Sequence, residues 1–109
     1  MVSTIPKPPT VAEIRAAARP LCVRHAVARL DVFGSVARNE AGADSDVDLL
    51  VEFLPESGVG LLEMGALRED LAEALGRAVD LVSRNAIEQS ANPFRRRAIF
   101  DSTVNIYAR

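Results

Sequence analysis

Val47-Asp48-Leu49-Leu50-Val51-Glu52-Phe53 alternates in a way that settles how the chain is built. Val47, Leu49, Val51 and Phe53 fall on one side of an extended segment, while Asp48 and Glu52, with Asp46 just before them, fall on the other. A period of two predicts a strand with one face in the core and one acidic face. Upstream, Arg29-Leu30-Asp31-Val32-Phe33 reads as a second short strand that runs into a tight turn at Gly34-Ser35. Downstream, Pro55, Gly58 and Gly60 make a loop. Leu61, Met64, Leu67, Leu71 and Leu75 then recur at helical steps among Glu63, Arg68, Glu69, Asp70 and Glu73. That pattern predicts an amphipathic helix ended by Gly76, followed by a strand over Ala78-Val79-Asp80-Leu81-Val82.

Further out the signals weaken. Thr10-Val11-Ala12-Glu13 spells a capping box and opens a helix carrying Ile14, Ala17 and Ala18, which Pro20 is expected to kink or restart before His25. The stretch from Asn85 to Arg109 reads as mostly helical with a break near Pro93, although Thr103-Val104-Asn105-Ile106-Tyr107 also fits a strand. Strands interleaved with helices predict an α/β (α+β) domain, a small mixed sheet of about three to four strands flanked by helices. Pro6, Pro8 and Pro9 keep residues 1–9 out of regular structure, so the expected division is a flexible proline-rich tail at 1–9 and one domain at 10–109.

Composition narrows the function. A chain of 109 residues holds one core, and 49% hydrophobic with 26% charged residues is the balance of a water-soluble domain. Thirteen Lys+Arg against 15 Asp+Glu leave a net charge of -2, so no basic field exists to draw nucleic acid, and direct nucleic-acid binding is not expected. Cys22 and His25 are single representatives of their types, which excludes an internal disulfide and a Cys/His zinc site. With neither an export signal nor a membrane span in the sequence, the expected location is the cytoplasm.

Acids two residues apart on a strand point the same way, roughly 6 to 7 Å apart along its axis. Asp46 and Asp48 meet that condition, and bare carboxylates so placed repel each other unless a hard divalent cation such as magnesium or manganese neutralises them. Asp80, set between Val79 and Leu81, is a candidate third ligand from an adjacent strand. Gly34 lets backbone amides approach a phosphate, Ser35 adds a hydroxyl donor, and Arg38 beyond a short helix offers a forked donor to the same anion.

Gly34-Ser35, ten residues, then Asp46-Val47-Asp48 and Leu49-Leu50-Val51 resembles the signature of the nucleotidyltransferase superfamily that includes DNA polymerase β. Phe33-Gly34-Ser35-Val36-Ala37-Arg38 and Asp44-Ser45-Asp46-Val47-Asp48 look like its short stand-alone prokaryotic members, the minimal nucleotidyltransferases. The likeness covers nearly the whole chain in element order. It implies the polymerase β-like fold, a nucleoside triphosphate held by Gly34, Ser35 and Arg38, and two magnesium ions bound by Asp46, Asp48 and Asp80. Asp80 would also take the proton of the attacking hydroxyl. Many such proteins are antitoxins encoded beside a helical HEPN toxin. The resemblance therefore implies ATP as substrate and adenylylation of a tyrosine hydroxyl on that partner.

Other readings remain open at this point: a binder that silences its partner without catalysis, a transferase acting on a small molecule, or a homo-oligomer that modifies itself. The remaining conspicuous residues have simpler roles. Asp44 and Ser45 shape the turn, Glu52 faces solvent or a partner, and His25 and Cys22 close the first helix. Arg95-Arg96-Arg97 is a solvated helix face, and Tyr107 a core aromatic.

Overall fold

The capping box forms as its residues require. Glu13 N–H donates to Thr10 Oγ1 at 3.1 Å and Thr10 N–H to Glu13 Oε1 at 2.9 Å, which satisfies amides that the first helical turn leaves open. From that cap, helix α1 spans Val11–Arg24 in the computed structural model, which describes residues 8–42, 45–55 and 60–109. Asp44, Gly58 and residues 1–7 of the expected tail lie outside the described residues. Contrary to the predicted break, α1 continues through Pro20. Ala16, whose carbonyl loses its amide partner there, and Pro20 itself are both exposed, so water replaces the missing bond at small cost.

Strand β1 (Val27–Phe33) leads into the one-turn helix α2 (Gly34–Ala37), and β2 (Val47–Phe53) forms where the alternation placed it. Helix α3 (Leu61–Leu75) ends on Gly76 at φ 68°, a left-handed cap that suits glycine, and returns the chain to β3 (Val79–Ser83). The C-terminal stretch is less helical than its composition suggests: α4 (Arg84–Glu88) and α5 (Pro93–Phe100) are followed by β4 (Val104–Ala108). The four strands lie in the order β3-β2-β1-β4. β1 runs antiparallel to both β2 and β4, whereas β2 and β3 are parallel and are joined through α3. Among the described residues no helix is long and apolar enough to cross a membrane.

The inward residues of the sheet, including Leu30, Val32, Val47, Leu49, Val51 and Leu81, pack with Ile14, Ala18 and Cys22 of α1 and with Leu67 and Leu71 of α3. Cys22 is fully buried, and burial pushes its thiol up to about 11, so it acts as a small apolar filler. His25 is buried at the end of α1, where Nε2 lies 2.8 Å from Asp70 Oδ2 and Nδ1 3.6 Å from Glu63 Oε2, clasping α1 to α3. Tyr107 is half-buried against the same core, and its hydroxyl accepts from Arg109 Nε at 2.9 Å.

The opposite face is not simply acidic. Leu50 shares it with Asp48 and Glu52 and is fully buried, because α4 and α5 cover it with Ile87 and Ile99. On that face lies a buried ion network. Asp31 has no exposed surface and is held by the Arg84 guanidinium, by Arg29 Nε at 3.1 Å and by Asn105 Nδ2 at 2.9 Å. Arg84 also lies over the Phe100 ring, 5.1 Å from its centroid, which ties α4 and α5 to the sheet.

Candidate active site

The sheet register brings the predicted residues together at one end of β2. Phe33 pairs with Asp48 across β1 and β2, and Asp48 pairs with Asp80 across β2 and β3. Gly34, the next residue after Phe33, therefore sits beside the Asp48 side chain. At φ +72° it occupies a conformation glycine favours, and a Cβ built there would lie 2.3 Å from Asp48 Oδ2. No other residue fits that contact without displacing the carboxylate.

Asp48 is half-buried, while Asp46, just ahead of β2, and Asp80 are exposed. Burial and then the neighbouring charges of Asp80 and Asp46 hold the Asp48 carboxyl above its ordinary value of 3.8, with Arg38 pulling the other way. Asp46, Asp80 and Arg38 are thus all felt at the Asp48 carboxylate. Among the described residues no three His, Cys, Asp or Glu side chains stand grouped so as to hold a metal ion. What the end of the sheet does offer is hard oxygen donors whose mutual repulsion Arg38 only partly offsets at Asp48, the chemistry that suits a small divalent cation.

On the other side of the turn, Ser35 is half-buried within α2, and Arg38 N–H donates to Gly34 O at 3.1 Å. Arg38 is exposed, with Nε 3.3 Å from Glu40 Oε2, a surface pair that a phosphate can displace. Ser45 shapes the approach to β2 as expected, its Oγ accepting from Gly42 N–H at 2.9 Å. Glu52 is exposed farther along β2, and Arg95 and Arg97 are exposed on α5, in keeping with surface roles.

Two features escaped the sequence reading. Asp31 stands among aliphatic residues just as Asp80 does, and that oddity was the available signal for a buried charge network. Arg77, which donates from Nη1 to Ser45 O at 2.9 Å, gave no signal, because its partner is a backbone carbonyl 32 residues away in sequence.

The glycine turn, the strand acids and nearly all of the four-stranded sheet lie within residues 14–106, which match the nucleotidyltransferase domain family. The chain belongs to that family and is an enzyme of the transferase class. It is 37% identical over 94 residues to a candidate protein adenylyltransferase of Methanocaldococcus jannaschii, an alignment covering 86% of this chain and 95% of the relative. A solved structure of a candidate minimal nucleotidyltransferase, also 37% identical, superposes with a TM-score of 0.69 over 88% of this chain and 95% of that one. A minimal nucleotidyltransferase antitoxin in complex with a tri-AMPylated HEPN toxin from Shewanella oneidensis is 18% identical and shares the fold, with a TM-score of 0.63 over 92% and 74% of the two chains.

Proposed function

We propose that this protein transfers AMP from ATP to a tyrosine hydroxyl of an HEPN toxin and thereby acts as its antitoxin. The observation that carries the reading is the placement of Asp48, pressed on Gly34 and opposite Asp80 in register. The likeness to a relative described as a protein adenylyltransferase, and to an antitoxin solved with an AMPylated toxin, supports the choice of group and acceptor.

In this reading Gly34 and the amides after it cradle the triphosphate, with the Ser35 hydroxyl and the Arg38 guanidinium as further donors. Asp46, Asp48 and Asp80 would hold magnesium, with two ions as the expected complement. When bound, magnesium supplies charge stabilisation for the attacking and leaving oxygens of an in-line displacement. The acceptor hydroxyl forms a bond to the α-phosphorus, the bond from that phosphorus to the bridging oxygen breaks, and pyrophosphate leaves with its electron pair. Asp80, exposed beside Asp48, takes the hydroxyl proton.

The direct test is the intact mass of the helical partner after incubation with this protein, magnesium and ATP, with Asp46→Asn and Asp48→Asn as controls. Whole adenylyl increments that require both aspartates are the expected result. A stable complex without any mass gain would replace this reading with silencing by binding alone. A second prediction concerns the turn. Gly34→Ala forces an alanine into φ +72°, costing about 1–2 kcal/mol, and its Cβ pushes Asp48 aside. Misplacing a reacting group on this scale is expected to lower kcat/KM on the order of 10²-fold. Near wild-type turnover in Gly34→Ala would show that Asp48 need not sit where the turn puts it.

A further inference from the structure

Asp48 and Asp46 are held by different means. Asp48 lies within β2 and is fixed by pairing on both sides and by the Gly34 contact. Asp46 precedes β2 and is exposed, so its position depends on the peptide groups on either side of it. Both are held by the turn that joins α3 to β3. Arg77 Nη1 donates to Ser45 O at 2.9 Å, and Val47 N–H donates to Ala78 O at 3.0 Å. Arg77 is itself anchored, since its own N–H and that of Gly76 both donate to Ala72 O, at 3.3 and 2.9 Å. The end of α3 therefore grips the backbone before and after Asp46, and the guanidinium adds positive charge one residue from a carboxylate that has acidic neighbours.

We infer that Arg77 is a positioning residue that fixes Asp46 for cation binding. The inference rests on the proposed role of Asp46 and Asp48 as cation ligands and deepens it. Arg77 does not touch the reacting groups. It orders the ligand-bearing peptide, so it acts on metal affinity more than on the rate once metal is bound.

The experiment measures manganese binding to the full-length protein through the loss of the free-ion electron paramagnetic resonance signal. Arg77→Met, Arg77→Lys, Asp46→Asn and Asp48→Asn are compared with the wild type. The wild type is expected to bind manganese in a manner that needs both aspartates, and Arg77→Met to bind it about tenfold more weakly. Arg77→Lys, which keeps the charge and one donor, is expected to recover most of the affinity. In turnover, Arg77→Met is expected to raise the magnesium concentration for half-maximal rate while leaving kcat at saturating magnesium nearly unchanged. Should Arg77→Met fail to fold, Arg77→Gln, which removes the charge and shortens the reach, carries the same expectation. Manganese affinity equal to wild type in the folded Met or Gln variant overturns the role of Arg77 alone. Absence of aspartate-dependent binding in the wild type overturns the cation site, and the inference with it.

Discussion

Asp48→Asn is expected to do two opposite things: cut nucleotidyl transfer on the order of 10²–10³-fold, and raise the thermal midpoint of the metal-free protein. In the proposed function the loss of activity follows from removing a charged donor from the reacting centre, and its size is that of deleting one transition-state-stabilising group. The gain in stability follows from electrostatics. Burial and the charges of Asp80 and Asp46 raise the Asp48 carboxyl above 3.8, so the folded protein holds that proton more tightly than the unfolded chain does. Stability from this group therefore falls as pH rises from 3.8 through the raised folded value, and stays low at neutral pH. Most paired carboxylates behave in the reverse sense. Asparagine removes the charge and the cost together, so the midpoint difference between variant and wild type should open across that window and then level off. Saturating magnesium should reverse the ranking, because the ligand stabilises only the protein that binds it, by about 2.7 kcal/mol at a hundred times Kd. Calorimetry from acid to neutral pH, with and without magnesium, measures both effects. A lower midpoint for metal-free Asp48→Asn would mean that the acids do not repel one another as the structure indicates.

The largest loss of stability is expected at Asp31. Asp31→Ala removes a fully buried carboxylate and leaves Arg84, whose side chain is only 13% exposed, with Glu88 Oε1 at 3.5 Å as its nearest remaining anion. Arg84 Nε stands 4.0 Å from Glu52 Oε1, too far for a hydrogen bond, so little is available to compensate. Stranding a buried charge in this way costs about 3–5 kcal/mol, a large part of the stability of a domain this small. The double variant Asp31→Leu, Arg84→Met should recover most of that loss, because exchanging a buried pair for apolar groups of similar volume is often neutral. Urea unfolding of the three proteins measures both quantities. A single variant within about 1 kcal/mol of wild type would mean that water or Glu88 and Glu52 already compensate the Arg84 charge.

What the sequence disclosed, and what it hid, follows from the range of the interactions involved. The extent of β2 was legible because its alternation is local, and α3 because its apolar residues recur at helical steps up to a glycine cap. The turn at Gly34 and the acids at 46, 48 and 80 were legible as a spaced pattern, and the register then placed Asp48 beside Gly34 and opposite Asp80. Pro20 misled because a missing hydrogen bond on an exposed side of a helix costs too little to end it. The second face of β2 was read as acidic, and the burial of Leu50 on it was not foreseen because only the docking of α4 and α5 covers it. β4 was ambiguous because a five-residue edge segment takes its conformation from its pairing with β1. The grip of Arg77 on the peptide before Asp46 was invisible, since a bond to a backbone carbonyl leaves no mark on the residue that accepts it.

β2 has an antiparallel neighbour on one side and a parallel neighbour on the other, and that asymmetry divides the assembly of the site in time. The antiparallel pairing with β1 brings Gly34 against Asp48, while the parallel pairing that delivers Asp80 needs the whole crossover through α3 to be in place. A chain emerging from the ribosome with β3 still unmade carries the glycine turn and Asp48 without the third acid or the Arg77 clasp. In the proposed function, catalytic competence therefore waits for the one parallel pairing, that of β2 with β3, and turnover reports on that pairing in a way that secondary structure content does not.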